Sequence, residues 1–137
     1  MTMKKIAKAE PRTKAVNQAP TKQSRFVRIL AIGRTNKRDS FTLLTRLTAD
    51  GQADGSIESY GSLVAMDDED GSWKTSLFRL TNHNGIGRMH YGAFGYEDCT
   101  TNIYAKPVEI GELFTVQYDV DYPILDMVFQ IERIVPY

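Results

Sequence analysis

The C-terminal part of the chain alternates apolar and polar residues with a period of two. In the segment 113–122, apolar or aromatic residues occupy every second position: Phe114, Val116, Tyr118, Val120 and Tyr122. The segment 124–135 repeats the pattern with Leu125, Met127, Phe129 and Ile131. Because successive side chains of a strand point to opposite faces, the alternation predicts two half-buried antiparallel strands.

Shorter segments upstream have the same period and are separated by turn residues. They predict strands over 26–34, 40–49, 56–66 and 72–81, and Gly61 is expected to mark a bulge in the third. In the second strand the inward positions are Phe41, Leu43, Thr45 and Leu47. No ten-residue segment of the body has helical periodicity. The chain is therefore predicted to be all-β: an antiparallel sandwich or jelly roll, or a small barrel, of about 7–8 strands.

A hairpin is predicted around Asn84 and Gly85, because a type I′ turn needs a positive φ at both central residues. A two-residue loop would pair His83 with Ile86 and place Arg79 opposite His90. One face of the hairpin then carries Phe78, Leu80, Met89 and Tyr91. The opposite face carries Trp73, Leu77, Arg79, Thr81, Arg88, His90, Phe94 and Tyr96.

That second face allows two interpretations. In the simpler one, Trp73, Leu77, Phe94 and Tyr96 belong to the core and the basic residues lie at its margin. In the other, the aromatic rings stack on bases while Arg79, Arg88 and His90 contact phosphates. Proteins that bind single-stranded nucleic acid combine cations and exposed rings in this way.

Charge divides the chain into two parts, although the formal net charge of the 137 residues is zero. Residues 1–25 carry one acid and seven basic residues: Lys4, Lys5, Lys8, Arg12, Lys14, Lys22 and Arg25. The net charge of residues 1–25 is therefore +6, and that of residues 26–137 is −6. Since the first 25 residues also contain two prolines and little apolar surface, they are predicted to form a flexible basic arm. Residues 26–137 are predicted to form a single all-β domain.

The two histidines, the acidic run and the glycines near the hairpin are the residues that most resemble a metal or phosphate site, but their spacing does not fit one. The register of the predicted hairpin separates His83 from His90 by about 13 Å along the strands, which is too far for two ligands of one metal ion. The acidic run 67–70 does not fit a calcium-binding loop, and the glycines of 85–95 do not fit a phosphate-binding loop. We therefore nominate no catalytic residue, no metal site and no cofactor.

Compartment and partners follow from features of the whole sequence. The lone cysteine, Cys99, cannot form an internal disulfide, and no apolar run is long enough to cross a membrane. The N-terminus lacks the apolar core of a secretory signal peptide. We expect a location in the cytoplasm or a virion, self-assembly into a homo-oligomer, contact with nucleic acid through the arm, and no membrane association.

A basic arm ahead of an all-β domain resembles, in its layout, the coat proteins of small icosahedral viruses. This resemblance implies a non-enzymatic structural protein whose arm contacts nucleic acid or neighbouring subunits. The alternative is a β-barrel that binds single-stranded nucleic acid through the aromatic and basic hairpin face. The closing strands are also loosely similar to those of phage single-stranded-DNA-binding proteins. A small enzyme is the third hypothesis.

Overall fold

Eight β-strands account for most of the described residues, and they follow the predicted segments closely. The computed structural model describes residues 25–66, 70–91, 99–118 and 127–137. The strands are β1 (Arg25–Gly33), β2 (Ser40–Leu47), β3 (Ser59–Met66), β4 (Trp73–His83), β5 (Ile86–Tyr91), β6 (Cys99–Thr101), β7 (Leu113–Tyr118) and β8 (Met127–Pro136). A 3₁₀ turn, Ile103–Ala105, follows β6.

Each strand pairs antiparallel with the next one along the chain, and β8 pairs with β1. The result is a closed up-and-down barrel. Of the predicted all-β architectures, the small barrel is therefore the one that forms. Because the sheet closes on itself, all eight strands are paired on both sides along at least part of their length.

Large apolar side chains fill the barrel. An eight-stranded barrel has an interior just wide enough for side chains to occupy it completely. The largest fully buried residues include Phe41, Phe114, Phe129, Ile29, Leu43, Leu80, Met89 and Ile131. The inward positions predicted in the second strand are confirmed, since Phe41, Leu43, Thr45 and Leu47 are all buried. The alternation of the sequence thus places the core inside the barrel.

Two details of the strand prediction were wrong. Arg25, which was assigned to the arm, lies in β1 and pairs with Leu47. Gly61 does not mark a bulge, because the β3 register runs without a shift on both of its sides. The irregularity lies instead between Leu30 and Ala31, where β1 pairs with β8. The other residues assigned to the arm, and the part of the two predicted closing strands that falls in 119–126, lie outside the described residues.

The end of the barrel where β1 begins is covered by two connecting segments. The β2–β3 connection and the segment after β6 are joined by a bridge between Gln52 and Pro107, and the Val108 N–H donates to the Gly51 carbonyl at 2.9 Å. Four residues of these segments are buried: Ala53, Ile103, Tyr104 and Val108. We call this end the capped end.

Asp54 fastens the β2–β3 connection to the barrel wall. Its carboxylate accepts hydrogen bonds from the Ser56 N–H and hydroxyl at 2.9 and 2.7 Å, and it pairs with the Arg46 guanidinium at 2.7 Å. These bonds, those from Ser56 above all, lower the pKa of Asp54 to about 2 from an ordinary value of 3.8. The folded protein therefore favours the charged carboxylate.

The stability that Asp54 supplies should be present above about pH 4 and lost as the pH falls towards 2. We expect Asp54→Asn to lower the free energy of unfolding by about 1–2 kcal/mol at pH 6, and by less at pH 2.5. Urea denaturation at the two pH values measures this difference. Asp50→Asn, in the same connection, controls for the loss of one negative charge. An equal loss at both pH values would contradict the linkage.

Candidate functional site

The predicted β4–β5 hairpin is confirmed residue by residue. His83 pairs with Ile86, Arg79 with His90, and Phe78 with Tyr91. Asn84 and Gly85 have φ values of 54° and 89°, as a type I′ turn requires. Because the register is regular, the faces separate as predicted, with Leu80 and Met89 inside the barrel and Arg79 and His90 on its outside.

Three neighbouring strands place a row of polar and aromatic side chains on the outside of the barrel. Tyr60 of β3 pairs with Arg79 of β4, and Arg79 pairs with His90 of β5. Leu77 lies two residues from Arg79 on the same side of β4 and is 73% exposed. Tyr60 is 54% exposed. We call the surface formed by Tyr60, Leu77, Arg79 and His90 the outer face.

A shallow, open depression of about 340 Å³ lies in this outer face. Its walls are Tyr60, Leu77, Phe78, Arg79, His90 and Tyr91. Its volume is at the lower end of the range for ligand pockets. Three aromatic rings, one imidazole and one guanidinium thus line the depression, and the Phe78 ring among them is almost fully buried.

Glu58 holds the polar groups of the outer face in place. Its Oε1 accepts a hydrogen bond from the Tyr60 hydroxyl at 2.9 Å, and its Oε2 accepts one from Arg79 Nη1 at 2.8 Å. These two bonds, with the positive charges of Arg79 and His90, lower the pKa of Glu58. The Tyr60 pKa is raised, because its hydroxyl proton is shared with the carboxylate. His90 Nε2 is bonded to the Thr81 hydroxyl at 2.9 Å.

Trp73 and Arg88 belong to the outside of the barrel but lie away from the depression. Trp73 is half-buried at the other end of β4, about 20 Å from Arg79 along the strand. The Arg38 guanidinium carbon lies 4.4 Å from the centroid of its indole ring, within the range of a cation–π contact. Arg88 pairs with Thr81, two positions from His90 and towards the hairpin turn.

The structure therefore brings some predicted site residues together and leaves others apart. Arg79 and His90 are direct neighbours, whereas Trp73 forms a separate aromatic–arginine pair. Leu77 is exposed, so the interpretation that made it part of the core was wrong. The remaining predicted residues, Phe94, Tyr96 and the arm residues Lys4, Lys5, Lys8, Arg12, Lys14 and Lys22, lie outside the described residues.

Sequence reasoning missed Tyr60 and Glu58. They are two positions apart in the segment "IESY", so a strand would place both on one face, and that was the available signal. Their pairing with Arg79 depends on the β3–β4 register. Six residues, 67–72, separate the paired positions Met66 and Trp73, and a connection of that length allows several registers, whereas the two-residue turn at Asn84 and Gly85 fixed the β4–β5 register.

The candidate metal ligands are dispersed. His83 lies at the hairpin turn, His90 lies four positions along β5, and Cys99 is completely buried inside the barrel. In the described ranges no three His, Cys, Asp or Glu side chains are grouped so that they could hold a metal ion. Nor does any helix in those ranges have the length and apolar character to cross a membrane.

Comparison of the chain with protein-family models, with curated proteins and with solved structures found no match. The function is therefore argued from the outer face and from the distribution of charge.

Proposed function

We propose that the protein is a non-enzymatic binding protein for single-stranded nucleic acid, and that the outer face is its contact surface. Exposed aromatic rings stack on bases of any sequence, and each such contact is worth about 1–3 kcal/mol. Neighbouring cations bind the phosphates without reading the sequence. The basic arm would add phosphate contacts and make the affinity strongly dependent on salt.

The observation that carries this proposal is the exposed Tyr60 ring beside Arg79. Leu77 lines the same depression, so an aromatic ring, a large apolar side chain and a guanidinium are exposed side by side. The Arg38–Trp73 pair repeats the combination farther along β4. The distance of about 20 Å between the two pairs would let one strand of nucleic acid contact both.

Replacing Tyr60 by alanine should weaken oligonucleotide binding about tenfold, because one stacking contact is lost. Fluorescence anisotropy of a labelled oligo(dT), titrated with the full chain at 50 and 200 mM salt, measures the change. Wild-type affinity should fall steeply between the two salt concentrations. The fold should be retained, since Tyr60 is exposed and its removal opens no cavity.

Tyr137→Ala is the matched control, because it removes another exposed tyrosine ring beside an arginine: Tyr137 is 75% exposed, its ring lies 5.8 Å from the Arg28 guanidinium carbon, and it does not line the depression. It should bind as the wild type does. Equal losses in the two variants would show that binding is not specific to the outer face. No binding by the wild type at 50 mM salt would contradict the proposed function.

A second candidate function is the coat-like assembly protein, and the opposite charges of arm and body favour it. Without Arg25, residues 1–24 carry six basic residues and one acid, a net charge of +5, and such an arm could contact an acidic body on a neighbouring copy, or a packaged genome. Light scattering of the anisotropy samples distinguishes the candidates. A particle of many subunits would support assembly, whereas a monomer or dimer that binds oligonucleotide would support the first proposal.

A further inference from the structure

Glu58 occupies the groups that a nucleic acid would use. One carboxylate oxygen accepts the hydrogen of the Tyr60 hydroxyl, and the other pairs with the Arg79 guanidinium. Both side chains of the Arg79–Glu58 ion pair are nearly half exposed, at 44% and 46%. The pair is therefore accessible to a ligand and is held only weakly by its surroundings.

A phosphate and a carboxylate compete for the same guanidinium. Both anions present two oxygens that can accept a pair of parallel hydrogen bonds from an arginine. A phosphate that approaches Arg79 must displace Glu58 or bind beside it, and two neighbouring negative charges repel each other. The groups that face Glu58 are Tyr60 on β3, Arg79 on β4 and His90 on β5. The hydrogen bonds from Tyr60 and Arg79 are the main cause of the lowered Glu58 pKa, and they favour the charged carboxylate.

We propose that Glu58 acts as an intramolecular competitor for the phosphate of a single-stranded nucleic acid at Arg79, an inference that rests on the proposed function. The carboxylate reduces the affinity of the outer face and restricts it to ligands that also stack on Tyr60. A free phosphate has no ring to stack and cannot compensate for the displacement of Glu58. Glu58 thereby makes the face selective for a base joined to a phosphate.

The full-length Glu58→Gln variant tests this role, because glutamine keeps an acceptor for the Tyr60 hydroxyl and removes the negative charge. Oligo(dT) should bind about threefold to tenfold more tightly than to the wild type at 50 mM salt. The gain should disappear in the double variant Glu58→Gln/Arg79→Gln. Inorganic phosphate, added as a competitor, should displace oligo(dT) from Glu58→Gln more readily than from the wild type.

Glu112→Gln is the matched control for net charge, since Glu112 pairs with Lys106 at 3.9 Å before β7, away from the outer face. Its affinity should stay within about twofold of the wild type. Suppose the wild type binds through Tyr60, but Glu58→Gln binds no better than Glu112→Gln. The competitor role is then overturned and the proposed function stands. If neither the wild type nor Glu58→Gln binds, both are overturned. Binding by Glu58→Gln without any binding by the wild type would overturn the proposed function, and the competitor role with it, because that role requires a wild-type face that still binds.

Discussion

Replacing Phe41 by alanine is expected to lower the free energy of unfolding by about 3–5 kcal/mol. Phe41 is fully buried in the middle of the barrel. Its ring centroid lies 4.9 Å from that of Phe114, 5.4 Å from that of Phe78 and 5.7 Å from that of Phe129. Truncation removes the apolar transfer energy and all three ring contacts, and strands on a closed barrel cannot collapse far into the space. Urea denaturation measures the loss.

Leu77→Ala provides the comparison, because it also truncates a large apolar side chain of the barrel wall. Leu77 is mostly exposed, so its truncation should change the free energy of unfolding by no more than about 0.5 kcal/mol. Similar losses in Phe41→Ala and Leu77→Ala would mean that Phe41 is not part of a close-packed interior.

The filled interior bears on function as well as on stability. Some eight-stranded barrels hold a small ligand inside, whereas others are filled by their own side chains. Here Phe41, Phe114 and Phe129 occupy the middle and are fully buried. The chemistry available to a partner therefore lies on the outside of the wall, and this is why the proposals concern Tyr60 and Arg79 rather than the lumen.

Local signals made the hairpin predictable from the sequence. Asn84 and Gly85 define a turn that only a few residue pairs can form, and a two-residue loop leaves one register for the strands beside it. Every pairing from His83–Ile86 to Phe78–Tyr91 followed from that dipeptide. The neighbouring positions of Arg79 and His90 were predictable for the same reason.

The closure of the barrel was not predictable, because it depends on residues far apart in the chain. β1 pairs with β8 from Val27–Pro136 to Gly33–Phe129, about a hundred residues apart. Alternation shows that both strands have one buried face, but it does not say which strand lies beside which. The irregularity between Leu30 and Ala31 also depends on this pairing and leaves no local signal.

The outer face was predictable only in part, for a related reason. Arg79 and His90 belong to one hairpin, whereas Tyr60 and Glu58 reach them through the β3–β4 register. The alternation also left open which face of β4 is buried in the middle of the strand. Leu77 and Phe78 are both apolar, and the structure buries only Phe78.

Gly61→Ala is expected to be destabilising by about 3 kcal/mol or more, although it adds only one methyl group. A Cβ at this position would overlap the backbone carbonyl oxygen of Thr42 and lie 2.7 Å from Cζ of Phe78. The Thr42 carbonyl belongs to the strand neighbouring β3 and cannot move without disturbing the β2–β3 ladder. Phe78 also lines the depression, so its displacement should weaken oligonucleotide binding together with stability.

Two further variants separate the causes of this loss. Gly85→Ala, where φ is 89° and no atom lies within 4 Å of the added Cβ, measures backbone strain alone and should cost about 1 kcal/mol. In Gly61→Ala/Phe78→Leu the smaller side chain removes the clash with the ring but not the one with Thr42. We therefore expect the double variant to remain destabilised by the overlap between the new Cβ and the Thr42 carbonyl oxygen. Full recovery, or a Gly61→Ala loss no larger than that of Gly85→Ala, would show that β3 can move away from β2.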